Sequence, residues 1–382
     1  MQSIGGTGAL SLLAVHGAAE AFVVEGLRSD QARALERAVR ESGGITVISE
    51  YGERALLLAS VASLAASAAR LAEWGQQTEA LGTEISRILL GQHTRAPMRC
   101  GSHTLDIGTR TLVMGVVNVT PDSFSGDGTG DDVNAAVDRA VRMVDEGAAI
   151  IDVGGESTRP HSAEVPDDEE RRRVLPVIER LAGRLTVPLS IDTRKATVAR
   201  DAVAAGCLIV NDIWGLRGDP DMAALVATNP QILLITMHNQ RGTEYTDLLA
   251  DIARSLRESM MLAARHGIAA GRIIVDPGFG FGKTPGQNLE LVRRLAELRG
   301  LGRPLLLGAS RKSTIGLVLD SAPTALRVEG GIALAVLAAA SGADIIRTHD
   351  VAATVRALRV ADAVQRGAPD AVVQSPAPGP TQ

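Results

Sequence analysis

The chain has 382 residues, a formal net charge of −5 and an aromatic content of only 2%. Its length exceeds that of a typical single domain, which predicts one large domain and a smaller one. The acidic charge balance and the scarcity of aromatic side chains exclude a basic, base-stacking surface, so no nucleic-acid partner is expected.

The cysteines and the apolar runs indicate the cellular compartment in which the protein is expected. Cys100 and Cys207 are far apart and match no metal or redox spacing, so we expect a cytoplasmic protein in a reducing environment. The opening stretch MQSIGGTGALSLLAVHGAAEAF lacks a basic segment and contains Glu20, which argues against a signal peptide. No run approaches the ~18 uninterrupted apolar residues of a membrane span, and no membrane partner is expected.

Residues 1–95 predict a small α/β domain of unknown role. In chain order the pattern indicates a strand at AFVVEGL, a helix at DQARALERAVRESGG, two strands at ITVISE and RALLLAS, and helices at SLAASAARLAEWG and EISRILLG. This order is close to a β-α-β-β-α unit, and it carries no chemical motif. Residues 96–110 are predicted to be a lead-in to the larger domain.

From residue 111 onward, short apolar runs alternate regularly with helical patterns. The runs are apolar on both faces, as parallel strands covered by helices are. They occupy residues 112–119, 149–155, 188–193, 208–213, 231–237, 273–278, 304–310 and 345–350. Eight such units over residues 111–367 predict an α/β protein with a (β/α)8 TIM barrel after the small N-terminal domain, and a doubly wound open sheet is the alternative. Residues 368–382 are predicted to be a disordered tail.

Every predicted barrel strand ends in or is directly followed by polar or ionisable side chains, whereas Gln231 is the one such side chain at a strand start. Active sites of such barrels form at the carboxyl ends of the strands, so these side chains are expected to form one ring. In chain order the ring includes Asn118, Asp152, Asp192, Asn211, Met237, His238, Asp276, Lys312, Arg347 and His349. A purely structural origin for all of them is disfavoured, because buried charges are costly unless they are paired.

Individual residues near the ring have structural alternatives that the sequence leaves open. Asp152 and Asp350 could cap the helices that follow them, and His238 could pack between neighbouring loops. Phe279 and Phe281 could belong to the core of their loop, but the glycines around them favour a surface that faces a ligand.

One side of the ring is rich in acceptors. Asp192, Asn211 and Asp276 follow the third, fourth and sixth strands. Two carboxylates and an amide suit a flat heterocycle that presents several N–H donors.

The other side of the ring is basic. Arg347, His349 and the pair Arg311-Lys312 follow the last two strands, where barrels often bind phosphate. Asn118 is next to them and could supply one amide oxygen to Mg²⁺, which needs few protein ligands. The two sides together predict transfer of an alkyl group from a leaving diphosphate.

The motifs that carry these residues occur in a recognisable order. They are NVTPDSFS, GGESTRP, SIDT, NDI, DPGFGFGK, SRKS and RTHD. The chain resembles the dihydropteroate synthase family over about residues 111–367. The resemblance implies condensation of (7,8-dihydropterin-6-yl)methyl diphosphate with 4-aminobenzoate in folate biosynthesis, Mg²⁺ as cofactor, and sulfonamides as inhibitors. A homodimer is expected.

The resemblance also implies roles for single residues. The pterin would be bound by Asp192, Asn211, Met237, Asp276 and Lys312. The diphosphate would be bound by Asn118, Arg347 and His349, with Asn118 as metal ligand. The 4-aminobenzoate pocket would comprise Thr158, Arg159, Phe281 and Ser313, with Pro160 at its edge. Loops 120–130 and 155–166 would be mobile lids over this pocket.

The chemistry implied in this way needs no side-chain nucleophile. Loss of diphosphate leaves a cation at the pterin methylene, which Asp192 and Asp276 can stabilise. Arg347, His349 and Lys312 would stabilise the departing negative charge together with Mg²⁺. Asp192, Lys312, Arg347 and His349 are therefore the candidate catalytic residues, and the predicted mechanism is an SN1-like displacement.

Some positions depart from the family pattern. The loop SFSGDG leaves open whether Asp122 or Asp127 acts there, Thr348 stands where valine is common, and the sequence MHNQ leaves the roles of Asn239 and Gln240 open.

Three other functions compete with the one implied by the resemblance. They are a methyltransferase for a methyl-folate, an inactive pterin-binding paralogue and a phosphate-binding isomerase. The phosphate-side motifs SRKS and RTHD argue against the first, and the lack of a placed proton-abstracting base argues against the last.

Overall fold

The computed structural model describes residues 2–4, 8–13, 20–93, 96–120, 132–156 and 164–367. Its N-terminal part is a five-stranded antiparallel sheet in the spatial order β1-β2-β3-β5-β4. The strands are β1 (Gln2–Ile4), β2 (Gly8–Leu13), β3 (Glu20–Glu25), β4 (Ile45–Ile48) and β5 (Arg54–Ala59), and the helices are α1 (Ser29–Glu41), α2 (Val61–Glu73) and α3 (Gln76–His93). The order predicted from sequence is present from β3 to α3, and β1 and β2 precede it.

The N-terminal part has its own apolar core. Leu57 on β5 is fully buried together with Leu35 of α1, Leu64 and Leu71 of α2. Leu35 belongs to an apolar stripe of α1 whose members recur at the three- and four-residue spacing of one helix face. Ser60 begins α2 by accepting a hydrogen bond from the backbone N–H of Ser63.

Residues 96–110, expected as a lead-in, contain a small hairpin. Strands β6 (Met98–Cys100) and β7 (His103–Leu105) pair with each other. Met98 and Leu105 are buried in the same apolar cluster as Leu112 and Ile345 of the following sheet. The hairpin therefore closes the amino-terminal end of the barrel. The boundaries predicted at residues 95 and 110 stay predictions.

The described residues from 112 onward form a parallel eight-stranded sheet that closes on itself, which confirms the predicted barrel. The strands are β8 (Leu112–Asn118), β9 (Ile150–Gly154), β10 (Leu189–Asp192), β11 (Ile209–Asp212), β12 (Leu233–Met237), β13 (Ile273–Asp276), β14 (Leu306–Leu307) and β15 (Ile345–Thr348). Neighbours pair in sequence order, β15 pairs with β8, and a single bridge from Val275 to Leu305 joins β13 to the β14 side. A doubly wound sheet is open and has two unpaired edge strands, whereas the bridge from Val275 to Leu305 joins the two ends of this sheet. The doubly wound alternative is therefore excluded.

Helices cover the outside of this sheet. They are α4 (Val133–Asp145), α5 (Asp167–Leu181), α6 (Ala196–Ala204), α7 (Met222–Thr228), α8 (Leu248–Arg265), α9 (Pro285–Arg293), α10 (Ser313–Val318), α11 (Val328–Ala340) and α12 (Val351–Arg366). Asp132 caps α4 and Asp247 caps α8 through their side chains. Among the helices in the described ranges, none is long and apolar enough to cross a membrane.

The two-residue alternation along each strand separates two cores. Met114, Ile150 and Ile235 point into the barrel and pack with the hairpin. Their neighbours Val113 and Ile151 point outward and pack under the helices. Both faces are apolar because both are covered, and the polar side chains are left to the strand ends.

Candidate active site

The predicted ring of polar side chains assembles at the carboxyl ends of the barrel strands. Parallel strands in a closed sheet bring these ends to one mouth. Hydrogen bonds across the mouth join residues from β8, β9, β10, β11 and β15.

Arg347 on β15 reaches across the mouth to two carboxylates. Its Nε donates to Oδ2 of Asp152 and its Nη2 to Oδ2 of Asp192, each at 2.6 Å. Burial disfavours the charged guanidinium, but the two carboxylates prevail and raise the pKa of Arg347. Burial also disfavours the charged form of Asp192 and so raises its pKa, although the positive charge of Arg347 opposes this shift. Arg347, expected on the basic side of the mouth, therefore pairs with Asp192, which is expected on the acceptor side. The charge division expected from the sequence does not describe the mouth of the free protein.

Asp152 is fully buried and belongs to the site rather than to a helix cap. Helix α5 follows Pro166 and has no side-chain cap. Besides Arg347, Asp152 Oδ2 accepts from Asn211 Nδ2 at 3.3 Å. The sequence predicts Asp152 as a member of the ring but indicates no role for it, and the only signal is its position at a strand end.

Two carboxylate oxygens in the described part of the mouth accept no hydrogen bond. Among the described residues, Oδ1 of Asp152 and Oδ1 of Asp192 are buried and have no hydrogen-bond partner. Buried polar atoms in native proteins are nearly always paired. These two oxygens, with the nearby amide of Asn211, therefore suit a ligand that presents N–H donors.

Asp276 and Met237 form the neighbouring part of the mouth. They are paired in register at the ends of β13 and β12, and both are buried. Asp276 Oδ1 accepts from the N–H of Gly278 at 2.7 Å. Burial raises the pKa of Asp276, while this hydrogen bond and the charge of Lys312 oppose the shift.

Lys312 follows β14 and lies between the loop of β13 and the carboxylates. Its Nζ donates to the carbonyl of Phe279 and lies 4.5 Å from the ring centroid of Phe281. Burial lowers the pKa of Lys312 to about 8, and the charge of Asp276 opposes this. The ammonium is thus close enough to both the carboxylates and the aromatic ring to serve ligands on either side.

The guanidinium of Arg311 pairs with a carboxylate that follows β15. Arg311 has a left-handed backbone with φ of 59°, and its guanidinium binds both oxygens of Asp350 at 3.0 and 2.5 Å. Asp350 thus pairs with Arg311 rather than capping α12. This bidentate ion pair involves the guanidinium of Arg311, which the sequence predicts as a phosphate-binding group.

The two phenylalanines after β13 have different surroundings. Phe279 is fully buried in the barrel's outer core, so the expectation that it faces a ligand is wrong. Phe281 is half-buried next to Lys312, and Ser313 is exposed at the first turn of α10.

Part of the predicted site lies outside the described residues. This applies to Thr158, Arg159 and Pro160 of the expected 4-aminobenzoate pocket and to Asp122 and Asp127 of the first loop.

His349 and Asn118 meet at the edge of the mouth. Asn118 Nδ2 donates to His349 Nε2 at 3.4 Å, so the imidazole proton sits on Nδ1 and is donated to Ser310 Oγ at 3.1 Å. Burial, with the nearby charge of Arg347, lowers the pKa of His349 to about 3. His349 is therefore neutral in the free protein at ordinary pH.

Two other residues at the strand ends are structural. Both oxygens of Asp212 accept backbone N–H groups, from Trp214 and Leu216. His238 is buried and bonded to Tyr245, which is the packed alternative that the sequence left open.

Two ion pairs that Lys195 forms near the mouth are not predicted from the sequence. Lys195 is almost buried and binds Glu156 at 2.8 Å and Glu170 at 2.6 Å. It ties the loop that follows β10 to the loop that follows β9.

The comparisons with known proteins agree with this geometry. Residues 114–349 match the family model described as "Pterin binding enzyme". The chain is 46% identical over 270 residues to the dihydropteroate synthase of Clostridium beijerinckii, an alignment that covers 70% of this chain and 100% of that protein.

Solved structures give the same similarity. The dihydropteroate synthase of Xanthomonas albilineans with 4-aminobenzoic acid is 45% identical, with a TM-score of 0.67, over 71% of this chain and 99% of that one. The same enzyme in complex with 7,8-dihydropteroate is similar at 42% identity and a TM-score of 0.64, over the same shares of the two chains.

Proposed function

The chain belongs to the pterin-binding enzyme family, among the dihydropteroate synthases, and we propose that its barrel mouth performs their reaction by a dissociative displacement. The activity is condensation of (7,8-dihydropterin-6-yl)methyl diphosphate with 4-aminobenzoate to give 7,8-dihydropteroate and diphosphate, an alkyl-group transfer in folate biosynthesis. The observation that supports the mechanism best is the pair of unpartnered carboxylate oxygens of Asp152 and Asp192 beside the cations of the mouth.

The pterin is bound by the acceptor side of the mouth. Its amino group and ring N–H groups donate to Asp192, whose Oδ1 has no partner in the free protein, and to the side-chain oxygens of Asn211 and Asp276. Hydrogen bonds from such donors to a carboxylate contribute roughly 1.5–3 kcal/mol each. Met237, buried at the end of β12, contacts the flat face of the ring, and Lys312 binds its edge.

Bond breaking places opposite charges at the two sides of the mouth. The bond between the pterin methylene carbon and the diphosphate oxygen breaks, and its electron pair leaves with the diphosphate. Asp192 and Asp276 stabilise the resulting cation, while Arg347 and Lys312 stabilise the leaving group. His349, neutral in the free protein, contributes a hydrogen bond rather than a charge.

Bond formation needs no protein nucleophile. The amine nitrogen of 4-aminobenzoate attacks the cationic methylene and then loses a proton to solvent or diphosphate. Phe281 and Ser313 line the pocket for this substrate, with Thr158, Arg159 and Pro160 as its remaining members. The position of Phe281 beside Lys312 supports this assignment.

Mg²⁺ is proposed as the cofactor, held by Asn118 and the diphosphate. Within the described residues, no three His, Cys, Asp or Glu side chains form a cluster that could hold a metal. The amide of Asn118 can supply one oxygen ligand, and Mg²⁺ commonly takes its other ligands from phosphate and water. When bound, Mg²⁺ neutralises part of the diphosphate charge.

The test is product formation from the two substrates. We expect release of diphosphate and formation of 7,8-dihydropteroate only when both substrates and Mg²⁺ are present, and loss of both products on chelation. Methyl transfer from a methyl-folate, or diphosphate release without dihydropteroate, contradicts the proposal. Full activity in chelator contradicts the role of Mg²⁺ alone.

A homodimer through helices α10 to α12 is also proposed. Large apolar side chains are exposed on this side of the barrel, namely Leu317, Leu326, Leu337, Val360 and Val364. Exposed apolar patches mark interaction surfaces. Light scattering is expected to give twice the chain mass, and Val364→Asp is expected to give monomers, whereas Met261→Asp on α8 leaves the dimer intact. A monomeric native chain contradicts this.

The cytoplasm is proposed as the compartment. Cys100 and Cys207 are free and buried, and burial raises the pKa of the Cys100 thiol to about 12. Two unreactive, unpaired thiols suit a reducing environment. The protein is therefore expected in the cytoplasmic fraction of its cells, and recovery in a secreted fraction contradicts the proposal.

A further inference from the structure

The loop between β13 and α9, residues 277–284, is held by side chains from outside the mouth. Lys283 Nζ donates to the carbonyls of Gly278 at 2.9 Å and Phe281 at 3.0 Å. Tyr245 Oη donates to the carbonyl of Gly282 at 2.8 Å. The backbone on both sides of the Phe281 ring is therefore tied down by two residues that have no other role in the site.

This loop needs donors from elsewhere because of its backbone. Gly278, Gly280 and Gly282 have φ of 72°, 83° and 55°, and these turns direct carbonyls away from a regular hydrogen-bond ladder. Backbone carbonyls that are buried must find other partners. The loop also packs closely on its neighbour, since a Cβ at Gly278 would lie 2.0 Å from the carbonyl oxygen of His238.

Tyr245 is itself held in a defined orientation. His238 Nε2 lies 3.1 Å from Tyr245 Oη. Because the phenol proton goes to Gly282, the imidazole is the donor to Tyr245. The two rings meet edge to face with centroids 5.9 Å apart. Burial raises the pKa of Tyr245, so the hydroxyl keeps its proton and stays a donor.

Lys283 is directed at the loop rather than at the substrates. Its side chain is buried, and its Nζ lies 5.9 Å from the ring centroid of Tyr245. The two residues form one support, with Lys283 binding the carbonyl of Phe281 and Tyr245 binding the next carbonyl along the chain.

We propose that Tyr245 and Lys283 are positioning residues for 4-aminobenzoate, which hold the backbone around Phe281 so that its ring stays beside Lys312. The inference rests on the proposed function, in which Phe281 lines the 4-aminobenzoate pocket. The hydrogen bonds of Tyr245 and Lys283 go to backbone carbonyls of the loop, whereas the pterin is bound by side chains at the strand ends. The two substrates are therefore expected to respond differently when the support is removed.

Tyr245→Phe tests the support with the smallest change, because it removes one hydroxyl and keeps the ring. Loss of a buried hydrogen bond predicts a rise of about threefold to tenfold in KM for 4-aminobenzoate. KM for the pterin diphosphate is expected to stay within about twofold. The matched control is Tyr51→Phe, since the chain has two tyrosines and Tyr51 is 80% exposed in the N-terminal part. Equal rises in both KM values, or none, overturn the inference.

A double-mutant cycle shows whether Tyr245 acts through Phe281. In a Phe281→Ala background, Tyr245→Phe is expected to change KM for 4-aminobenzoate by less than about twofold, because the ring to be positioned is gone. Additive effects overturn the inference. Lys283→Met should likewise raise KM for 4-aminobenzoate and leave KM for the pterin diphosphate within about twofold. Lys283→Arg should bring KM for 4-aminobenzoate at least part of the way back to the native value. An inactive native chain overturns the proposed function as well, whereas an active chain without the KM split overturns this inference alone.

Discussion

At the centre of the barrel mouth, Asp152 and Asp192 share the guanidinium of Arg347. Removing one partner from a buried charge cluster leaves the others uncompensated, which costs about 3–5 kcal/mol. Arg347→Ala is therefore expected to lower the free energy of unfolding by about 3 kcal/mol. It is also expected to weaken binding of a pterin without diphosphate, because Asp192 loses the guanidinium that orients its carboxylate. Denaturant unfolding and pterin titration measure the two effects.

Asp276→Asn is the comparison for this experiment. It keeps the shape of the side chain, removes a charge next to the proposed pterin, and should weaken pterin binding by about 10- to 100-fold. If Arg347→Ala slows turnover but leaves bare-pterin affinity unchanged, Arg347 serves the leaving group alone and the simple division of the mouth is correct.

His238 makes stability depend on pH. Burial lowers its pKa to about 3 from a usual value of 6.5. Between these values the unfolded chain binds the proton and the folded chain does not, so stability falls as the pH falls below 6.5. Between pH 7 and pH 5 this residue alone is expected to remove about 2 kcal/mol.

The contribution of His238 is isolated by comparison with His238→Gln. His349 and the buried carboxylates titrate in both proteins and cancel in the difference. The free energy of unfolding of the native chain should approach that of the variant as the pH is lowered from 7 to 5. A constant difference over this range would mean that the pKa of His238 is the same in the folded and unfolded states.

Among the elements, the hairpin β6–β7 stabilises the barrel from its amino-terminal end. Leu105 is buried in the interior cluster, whereas Thr104 on the same strand is exposed. Leu105→Ala should lower the free energy of unfolding by about 2–4 kcal/mol through lost packing and a new cavity. Thr104→Ala should change it by less than about 0.5 kcal/mol. Similar small effects of both changes would show that the hairpin is not part of the core.

For the whole molecule, the N-terminal part lies away from the mouth. Helix α3 and strand β2 lie beside the turn Leu295–Leu301, which leads into β14 and so belongs to the opposite end of the barrel. A chain that begins at Ala96 is expected to fold and to keep its turnover within about twofold, because every described site residue is retained. A chain that begins at Thr111 lacks the hairpin and should be markedly less stable.

Activity measurements and light scattering on both truncated chains test whether the N-terminal part contributes to the site or to the dimer. A folded but inactive chain beginning at Ala96 would show that the N-terminal part reaches the site. A loss of activity together with dissociation to monomers would show instead that it stabilises the dimer.

The sequence by itself determined the barrel and the ring. Period-two and helical patterns are local, so the eight units could be read along the chain, and parallel closure then brings Asn118, Asp192 and Asp276 to one mouth. The motifs also determined the family. Only the tertiary structure decided how the charges pair. Arg347 meets Asp152 and Asp192 across 195 and 155 residues of chain. Which carboxylate lies nearest to a guanidinium depends on side-chain directions in the closed barrel, and no local pattern encodes them.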